Sequence, residues 1–230
     1  MHDHYTYWLI NIATIIFPFL LSFDRKVAFY KSWRQLWPGL LITGLFFIGW
    51  DILFTAKGVW SFSNRYITGV KLLGLPAEEW FFFLAIPYAC VFIYDCLLAY
   101  FPFRKKHDWG WPFFVVPGIV LTGAGLVFYN RAYTCSSFIL CGMALLAVYL
   151  LRRKMKRFRA DAFLVMYFVS LVPFFIVNGF LTALPVVIYN DAENLGIRLY
   201  TIPFEDSFYG LLLMLGNVGI MEWLRGRKNI

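Results

Sequence analysis

The chain has 230 residues and a formal net charge of +8; 61% of its residues are hydrophobic, 21% are aromatic and only 15% are charged. About a quarter of the residues of a soluble domain are charged, so this composition excludes a water-soluble globular protein and predicts an integral membrane protein. It also excludes a disulfide framework, because all four cysteines lie inside apolar runs without CxxC spacing: Cys90, Cys96, Cys135 and Cys141.

Seven apolar runs follow one another along the chain, each long enough or nearly long enough to cross about 30 Å of hydrocarbon as a helix. They cover residues 5–23, 36–54, 79–100, 111–129, 135–151, 162–184 and 204–224. Sixteen of the 21 lysines and arginines follow the first, third, fifth and seventh runs. The positive-inside rule then predicts a multi-pass protein of the plasma membrane, with its N-terminus outside and its C-terminus in the cytoplasm. The basic run at 152–159 is part of this pattern, so no nucleic-acid partner is expected.

The sequence repeats itself at a spacing of 127 residues. Residues 51–56 (DILFTA) match 178–183 (NGFLTA), residues 69–72 (GVKL) match 196–199 (GIRL), and residues 75–81 (LPAEEWF) match 202–208 (IPFEDSF). We therefore predict an all-α membrane bundle of seven transmembrane helices. It consists of a three-helix repeat (1–104), a linker transmembrane helix (105–131) and a second three-helix repeat (132–230). Three helices and a linker make an even number of crossings, so the two repeats should be parallel, related by a pseudo-two-fold axis along the membrane normal.

Each repeat has two adjacent acids where its third helix begins: Glu78 and Glu79 in the first, Glu205 and Asp206 in the second. Proline followed by acids is an ordinary helix start, but ionisable groups entering an aromatic membrane helix are costly, which favours a function. The internal symmetry predicts that the four acids face one another. Close carboxyls in a low dielectric cannot all ionise, so one would keep its proton beside a charged neighbour, as an acid–base pair.

Aromatic residues surround these acids in the sequence, and their ring faces can stabilise a carbocation. They include Trp50, Trp60, Phe62, Tyr66, Trp80, Phe81, Tyr189, Phe204, Phe208 and Tyr209. Acids, bases and aromatic faces without a nucleophile suit protonation of an alkene, ring closure and loss of a proton. The only histidines, His2, His4 and His107, lie at the N-terminus and in a basic loop, so no metal site is predicted and no cofactor is expected.

The doubled Pro-x-Glu-[Glu/Asp] element, the Trp50-Asp51 dipeptide and the Gly58-Val59-Trp60 segment resemble the membrane-integral, flavin-free lycopene cyclases, in the form in which both halves are fused. The resemblance covers nearly the whole chain. It implies a lycopene β-cyclase, an intramolecular lyase or isomerase that converts the acyclic ends of lycopene into β-ionone rings, giving γ-carotene and then β-carotene. It also implies as partners lycopene or a related carotenoid, the lipid bilayer and other enzymes of carotenoid biosynthesis.

The resemblance assigns the essential acids to Glu78, Glu79, Glu205 and Asp206. On this basis we predict one composite site in which Glu78 or Glu205 delivers the proton. Asp51 and Asn178 would orient the acids, and substrate-binding aromatics would be Trp60, Tyr66, Trp80, Phe81, Tyr189 and Phe208.

Two other classes of function stay open on the sequence. Parallel three-helix repeats also occur in small carriers, so a proton-coupled transporter of small molecules is the first alternative. A carrier needs polar residues near the middle of several spans, whereas here the span interiors are nearly uncharged. The second alternative is a structural subunit of a carotenoid-synthesising complex. The sequence does not separate β from other ring types.

Overall fold

A computed structural model describes residues 3–101, 103 and 108–227. Its seven α-helices are α1 (Thr6–Leu21), α2 (Trp33–Ala56), α3 (Ala77–Tyr100), α4 (Pro112–Val127), α5 (Ala132–Leu151), α6 (Ala160–Ala183) and α7 (Glu205–Arg227). All but α4 are long and apolar enough to cross a membrane, α1 and α2 being counted with the short 3₁₀ turns that precede them. The prediction of an all-α membrane bundle is therefore confirmed.

The fourth predicted span, 111–129, is shorter in the structure. It forms α4, which has 16 residues and at 1.5 Å per residue spans about 24 Å, less than the roughly 30 Å of a hydrocarbon core. This helix packs along α5 at very close range, because glycines face each other at the contact. A Cβ atom added to Gly142 would lie 2.7 Å from the carbonyl oxygen of Gly118, and one added to Gly125 would lie 2.6 Å from Ile139 Cγ1.

Six short strands, which an all-α prediction does not contain, connect the helices. They are β1 (Trp60–Phe62), β2 (Lys71–Leu72), β3 (Leu75–Pro76), β4 (Val187–Tyr189), β5 (Arg198–Leu199) and β6 (Ile202–Pro203). The β2–β3 and β5–β6 hairpins each lead directly into a helix that begins with an acid pair. In the antiparallel β1–β4 pair, Ser61 lies opposite Ile188. These two residues are 127 positions apart, so equivalent residues of the two halves meet there.

The turns repeat at the same spacing as the strands. Leu73 and Tyr200 both have left-handed backbone conformations, with φ of 52° and 63°, and Gly69 and Gly196 have φ of 85° and 72°. Left-handed conformations are uncommon for residues other than glycine, so their recurrence at equivalent positions indicates the same turn in each half. The predicted boundaries of the repeats stay a prediction. The boundary at 104–105 lies outside the described residues, as do His2, Arg104, Lys105, Lys106, His107 and Lys228.

The two halves meet along α2 with α7 and along α3 with α6. Small residues bring α2 and α7 close together: a Cβ atom on Gly39 would lie 3.1 Å from the carbonyl oxygen of Asn217, and one on Gly216 would lie 2.7 Å from Thr43 Cγ2. Large apolar side chains such as Leu45, Val116 and Val172 are exposed on the outside of the bundle. In a bilayer these exposed faces contact lipid.

Candidate active site

A cavity of about 60 Å³ lies between the two halves, next to the paired strands β1 and β4. Three carboxyl groups line it: Asp51 from α2, Glu79 from the first turn of α3 and Asp206 from the first turn of α7. Their residues are only 2%, 7% and 4% exposed. Buried ionisable groups inside a membrane protein are a functional-site hypothesis by default, and here three of them share one space.

Asp51 and Glu79 form a pair of neighbouring carboxyl groups. Tyr7 donates a hydrogen bond to Glu79 Oε2 from its hydroxyl group. Asp51 Oδ1 accepts one from the indole nitrogen of Trp60 and one, at 3.2 Å, from Thr55 Oγ1. Within the described parts of the chain, Asp51 Oδ2 has no donor, and the two carboxyl groups line the same cavity, close enough for each to influence the ionisation of the other. Such a pair can share one proton more easily than it can carry two negative charges.

Asp206 has a different environment, with a phenol on each of its oxygens. Tyr133 donates to Oδ1 at 2.5 Å and Tyr189 donates to Oδ2 at 2.9 Å. Burial, together with the charge of Asp206, raises the pKa of Tyr189 well above its ordinary value, so the phenol keeps the proton that it donates. Hydrogen bonds to both oxygens favour the charged form of a carboxyl group. Asp206 thus has a phenol donor on each oxygen, whereas Asp51 and Glu79 have each other as neighbouring acids.

Four aromatic rings form a box around these acids: Trp60, Tyr133, Tyr189 and Tyr209. The ring centroids of Trp60 and Tyr133 are 5.2 Å apart, those of Tyr133 and Tyr189 are 5.9 Å apart, and those of Tyr133 and Tyr209 are 6.1 Å apart. Tyr209 lies in electrostatic range of all three carboxyl groups. Aromatic faces attract cations through the ring quadrupole, so the box and the carboxyl groups together can stabilise a positively charged intermediate.

The other acid of each pair, Glu78 or Glu205, is completely buried and does not line the cavity. Glu78 Oε1 accepts hydrogen bonds from the backbone nitrogen and the hydroxyl group of Thr68, both at 2.7 Å. Glu205 Oε1 accepts from the backbone nitrogen of Leu195 at 2.7 Å and from Thr134 Oγ1 at 2.6 Å. Since Thr68 and Leu195 are 127 residues apart, the same contact recurs in each half. These two glutamates hold the loop before each hairpin against the start of the helix.

The other predicted site residues divide into two sets. Asn178, Trp60 and Tyr189 line the cavity with the three acids. Asn178 occupies the position equivalent to Asp51 and donates to the carbonyl oxygen of Phe174 at 3.2 Å.

The second set comprises Tyr66, Trp80, Phe81 and Phe208, which lie elsewhere. Trp80 and Phe81 line a separate groove between α2 and α3, Phe208 packs on Phe138 with ring centroids 5.0 Å apart, and the Tyr66 carbonyl accepts from the Tyr7 backbone nitrogen at 3.2 Å. The roles predicted for these residues stay predictions.

Sequence reasoning missed two tyrosines that hold the acids, Tyr7 and Tyr133. They lie at the beginning of the first helix of each half and are 126 residues apart, one short of the spacing of the repeat. An alignment of the halves that allowed a one-residue shift would have paired them. Within residues 3–101, 103 and 108–227, no group of three or more His, Cys, Asp or Glu side chains is placed to hold a metal ion.

The lycopene cyclase family model matches the chain twice, at residues 4–97 and at residues 130–224. The chain belongs to the lycopene cyclase family. The first matched segment covers α1, α2 and most of α3, the second covers α5, α6 and most of α7, and α4 falls between them.

Two curated relatives are similar to part of the chain. Both are named lycopene beta-cyclase, come from the R1 and NRC-1 strains of Halobacterium salinarum, and are 35% identical over 76 residues. The similarity covers 30% of this chain and 31% of each relative, so the chain matches about a third of their length. No solved structure matches the chain significantly.

Proposed function

We propose that the protein is a lycopene β-cyclase that closes the acyclic ends of lycopene to β-ionone rings by acid–base chemistry. The observation that carries this proposal is the unequal environment of the carboxyl groups in one aromatic cavity. Two carboxyl groups, Asp51 and Glu79, lie together on one side of the cavity, and Asp206 on the other side accepts hydrogen bonds from two phenols; we assign the proton to the pair and the negative charge to Asp206. Membership of the lycopene cyclase family and the similarity to two proteins named lycopene beta-cyclase support the choice of substrate.

In the first step the Asp51–Glu79 pair donates its proton to C2 of the end group. The π electrons of the C1–C2 double bond form the new C2–H bond, which leaves the positive charge at C1. The C5–C6 double bond attacks C1, the C1–C6 bond closes the ring, and the charge moves to C5. After the transfer the pair carries two negative charges, which are stabilised by the hydrogen bonds from Tyr7 to Glu79 and from Trp60 to Asp51 and by the positive charge of the end group.

In the second step the cation loses the proton on C6, which restores the C5–C6 double bond. The faces of Trp60 and Tyr209 and the negative charge of Asp206 stabilise the cation while it exists. We assign Asp206 as the group that accepts the proton, directly or through one water molecule. Atoms and electrons balance, since one proton is gained and one is lost. The reaction is an isomerisation without net redox change, as expected for an intramolecular lyase or isomerase.

The proton must then return from Asp206 to the Asp51–Glu79 pair before the next turnover. We assign this transfer to Tyr209, whose ring lies in electrostatic range of all three carboxyl groups. Two rounds would convert lycopene to γ-carotene and γ-carotene to β-carotene. We expect the enzyme in the plasma membrane with its N-terminus outside, as the distribution of basic residues favours, and other carotenoid-synthesising enzymes as partners.

Expression in a host that accumulates lycopene tests the proposal. The wild-type chain alone should convert lycopene to γ-carotene and β-carotene, measured by separation of the pigments. Glu79→Gln and Asp206→Asn should each lower the conversion about 100-fold or more, because each removes one partner of the proton transfers.

Asp191→Asn is the matched control, because this acid is exposed and lies outside the cavity. It should leave the conversion unchanged. If lycopene stays unaltered in the host that produces the wild-type chain, the proposal is wrong. The transporter and the structural subunit would then be the remaining alternatives.

A further inference from the structure

The acid cavity is too small for the ring that it is proposed to form. A cavity of about 150 Å³ accommodates benzene, whereas this one has about 60 Å³. An end group with methyl substituents therefore needs neighbouring side chains to move. The end group should enter from a side where additional space adjoins the cavity.

Such space lies on the side of α1, α3 and α6. A groove of about 590 Å³ runs between these three helices, with residues Thr6 to Pro18 on its α1 wall. At 1.5 Å per residue this wall is about 18 Å long. Its side chains are almost all apolar, including Leu9, Ile176 and Phe180, which are exposed on the outside of the bundle. The groove therefore opens toward the lipid.

A third, small cavity of about 30 Å³ lies between the groove and the acid cavity. It shares Ile86, Phe174, Asn178 and Met214 with the acid cavity. It also shares the α1, α3 and α6 residues Thr14, Ala89, Ile93, Pro173 and Val177 with the groove. The three spaces thus follow one another from the lipid to the carboxyl groups. The side chains of Ile86 and Phe174 lie at the boundary of the acid cavity.

The other half of the molecule has a large buried side chain at one of the equivalent positions. Residues 127 positions before Pro173 and Val177 are Phe46 and Trp50. Trp50 is 7% exposed and packs against Phe47 and Tyr209, with ring centroids 5.7 Å and 5.0 Å apart. At the equivalent position in the second half, the smaller side chain of Val177 leaves open the space that the indole of Trp50 fills in the first half. The two halves therefore differ at this position, and the path that joins the groove to the acid cavity lies on the side of α1, α3 and α6.

We propose that the groove between α1, α3 and α6 binds the unreacted hydrocarbon arm of an acyclic polyene while its end group passes Phe174 into the acid cavity. This inference rests on the proposed cyclase function and names the binding site of the substrate's long arm. Phe174 follows Pro173, which cannot donate the usual helical hydrogen bond, so the backbone can adjust there when the ring moves. With one entrance only one end of the substrate reaches the acids at a time. The half-cyclised product must leave and return in the opposite direction.

Two valines of α6 allow a matched test. Val177→Trp copies Trp50 and fills the groove at its inner end. Val172→Trp makes the same change on the same helix at an exposed position that lines none of the three spaces. In membranes containing lycopene we expect Val177→Trp to lower cyclisation at least tenfold, with Val172→Trp close to wild type. Equal yields of folded protein, measured by size-exclusion chromatography in detergent, confirm that the two variants are comparable.

A binding measurement separates this proposal from the cyclase function. A photo-reactive benzoyl-phenylalanine at Ile176 in the groove should cross-link to lycopene, and the same group at Val120, exposed on α4, should not. If the wild type cyclises lycopene, but Val177→Trp equals Val172→Trp and Ile176 cross-links only to phospholipid, the groove proposal is overturned and the cyclase function stands. If the wild type cyclises nothing, the cyclase function is wrong. The cross-link from Ile176 then decides by itself whether the groove binds a polyene: cross-linked lycopene supports binding, and its absence excludes it.

Discussion

At the scale of single residues, the two halves are unequal where the chemistry is proposed. The first half supplies two acids, Asp51 and Glu79, and the second supplies Asp206 with Asn178 at the position of Asp51. An amide cannot share a proton with a carboxyl group as a second acid can. The proposed roles, a proton donor on one side and an anion on the other, depend on this replacement of one acid by asparagine.

Asp51→Asn tests this division of roles. The change leaves Glu79 without a second carboxyl group and gives the first half one amide and one carboxyl group, as in the second half, so we expect cyclisation to fall about 100-fold. The product formed by membranes from a lycopene-accumulating host measures the effect. Asn178→Ala, which removes a cavity-lining amide without touching the acid pair, should cost less than tenfold. Full activity of Asp51→Asn would show that Glu79 does not need its neighbour.

Tyr209→Phe tests the proposed return of the proton. The hydroxyl group lies in electrostatic range of the three acids, and no hydrogen bond of it is found within the described residues, so its removal should not destabilise the fold. We expect turnover to fall about tenfold or more, while the first cyclisation in a single-turnover experiment stays near the wild-type rate. Tyr133→Phe, which removes a donor to Asp206, should slow the single turnover as well. Equal rates of multiple turnover in Tyr209→Phe and wild type would exclude a relay through Tyr209.

At the scale of helices and strands, the sequence predicts much of the fold because long apolar runs have few alternatives in a membrane. The strands were missed for a physical reason: segments such as Lys71–Leu72 are too short to show an alternating pattern, and the contact between Trp60–Phe62 and Val187–Tyr189 joins distant parts of the chain. The pairing of Ser61 with Ile188 follows from the symmetry of the repeat, but only once the two halves are known to face each other.

The acid pairs show a second limit of the sequence. Neighbouring residues on an α-helix point about 100° apart, so only one acid of each doublet can face the axis between the halves. The doublet does not say which one, because that depends on how α3 and α7 are rotated in the bundle. In the structure Glu79 and Asp206 line the cavity, whereas Glu78 and Glu205 bind their own loops.

Glu78→Ala should therefore lower the stability of the fold and have little effect on the rate of cyclisation. The backbone nitrogen of Thr68 would lose its acceptor at a part-buried site, and the loss of such a hydrogen bond costs about 0.5–1.5 kcal/mol. The expected result is a lower melting temperature in detergent, with activity per folded protein retained. Glu78→Gln keeps an acceptor oxygen and should melt closer to wild type. A Glu78→Gln protein that is fully folded and inactive would instead assign this residue a direct part in catalysis.

The packing of α4 on α5 gives a prediction that does not depend on the reaction. A methyl group on Gly142 would meet Thr122 Oγ1 at 2.5 Å and the Gly118 carbonyl oxygen at 2.7 Å, so Gly142→Ala must move the helices apart. We expect a loss of about 1–3 kcal/mol in stability, measured by thermal unfolding in detergent. Gly123→Ala is the control on α4, because nothing lies within 4 Å of its added Cβ atom. Similar melting of both variants would contradict the close packing.

At the scale of the whole molecule, the proposed site exists only where the two halves meet. Asp51 and Glu79 come from the first half, and Tyr133, Tyr189 and Asp206 from the second. The strands β1 and β4 pair across the same boundary, and α2 packs closely on α7 beside it. The contacts that hold the halves together thus also set the distance between the Asp51–Glu79 pair and Asp206.

Separating the halves tests this composite arrangement. Pieces 1–104 and 105–230, produced together in a lycopene-accumulating host, should assemble through the α2–α7 and α3–α6 contacts and restore cyclisation. Either piece alone should give at least 100-fold less product, because it lacks the donor pair or the anion. Co-production with a first piece carrying Gly39→Leu, which would collide with the backbone of Asn217, should fail where the unchanged pair succeeds. Cyclisation by one piece alone would mean that a single repeat contains a complete site, and the roles assigned to Glu79 and Asp206 across the boundary would then be wrong.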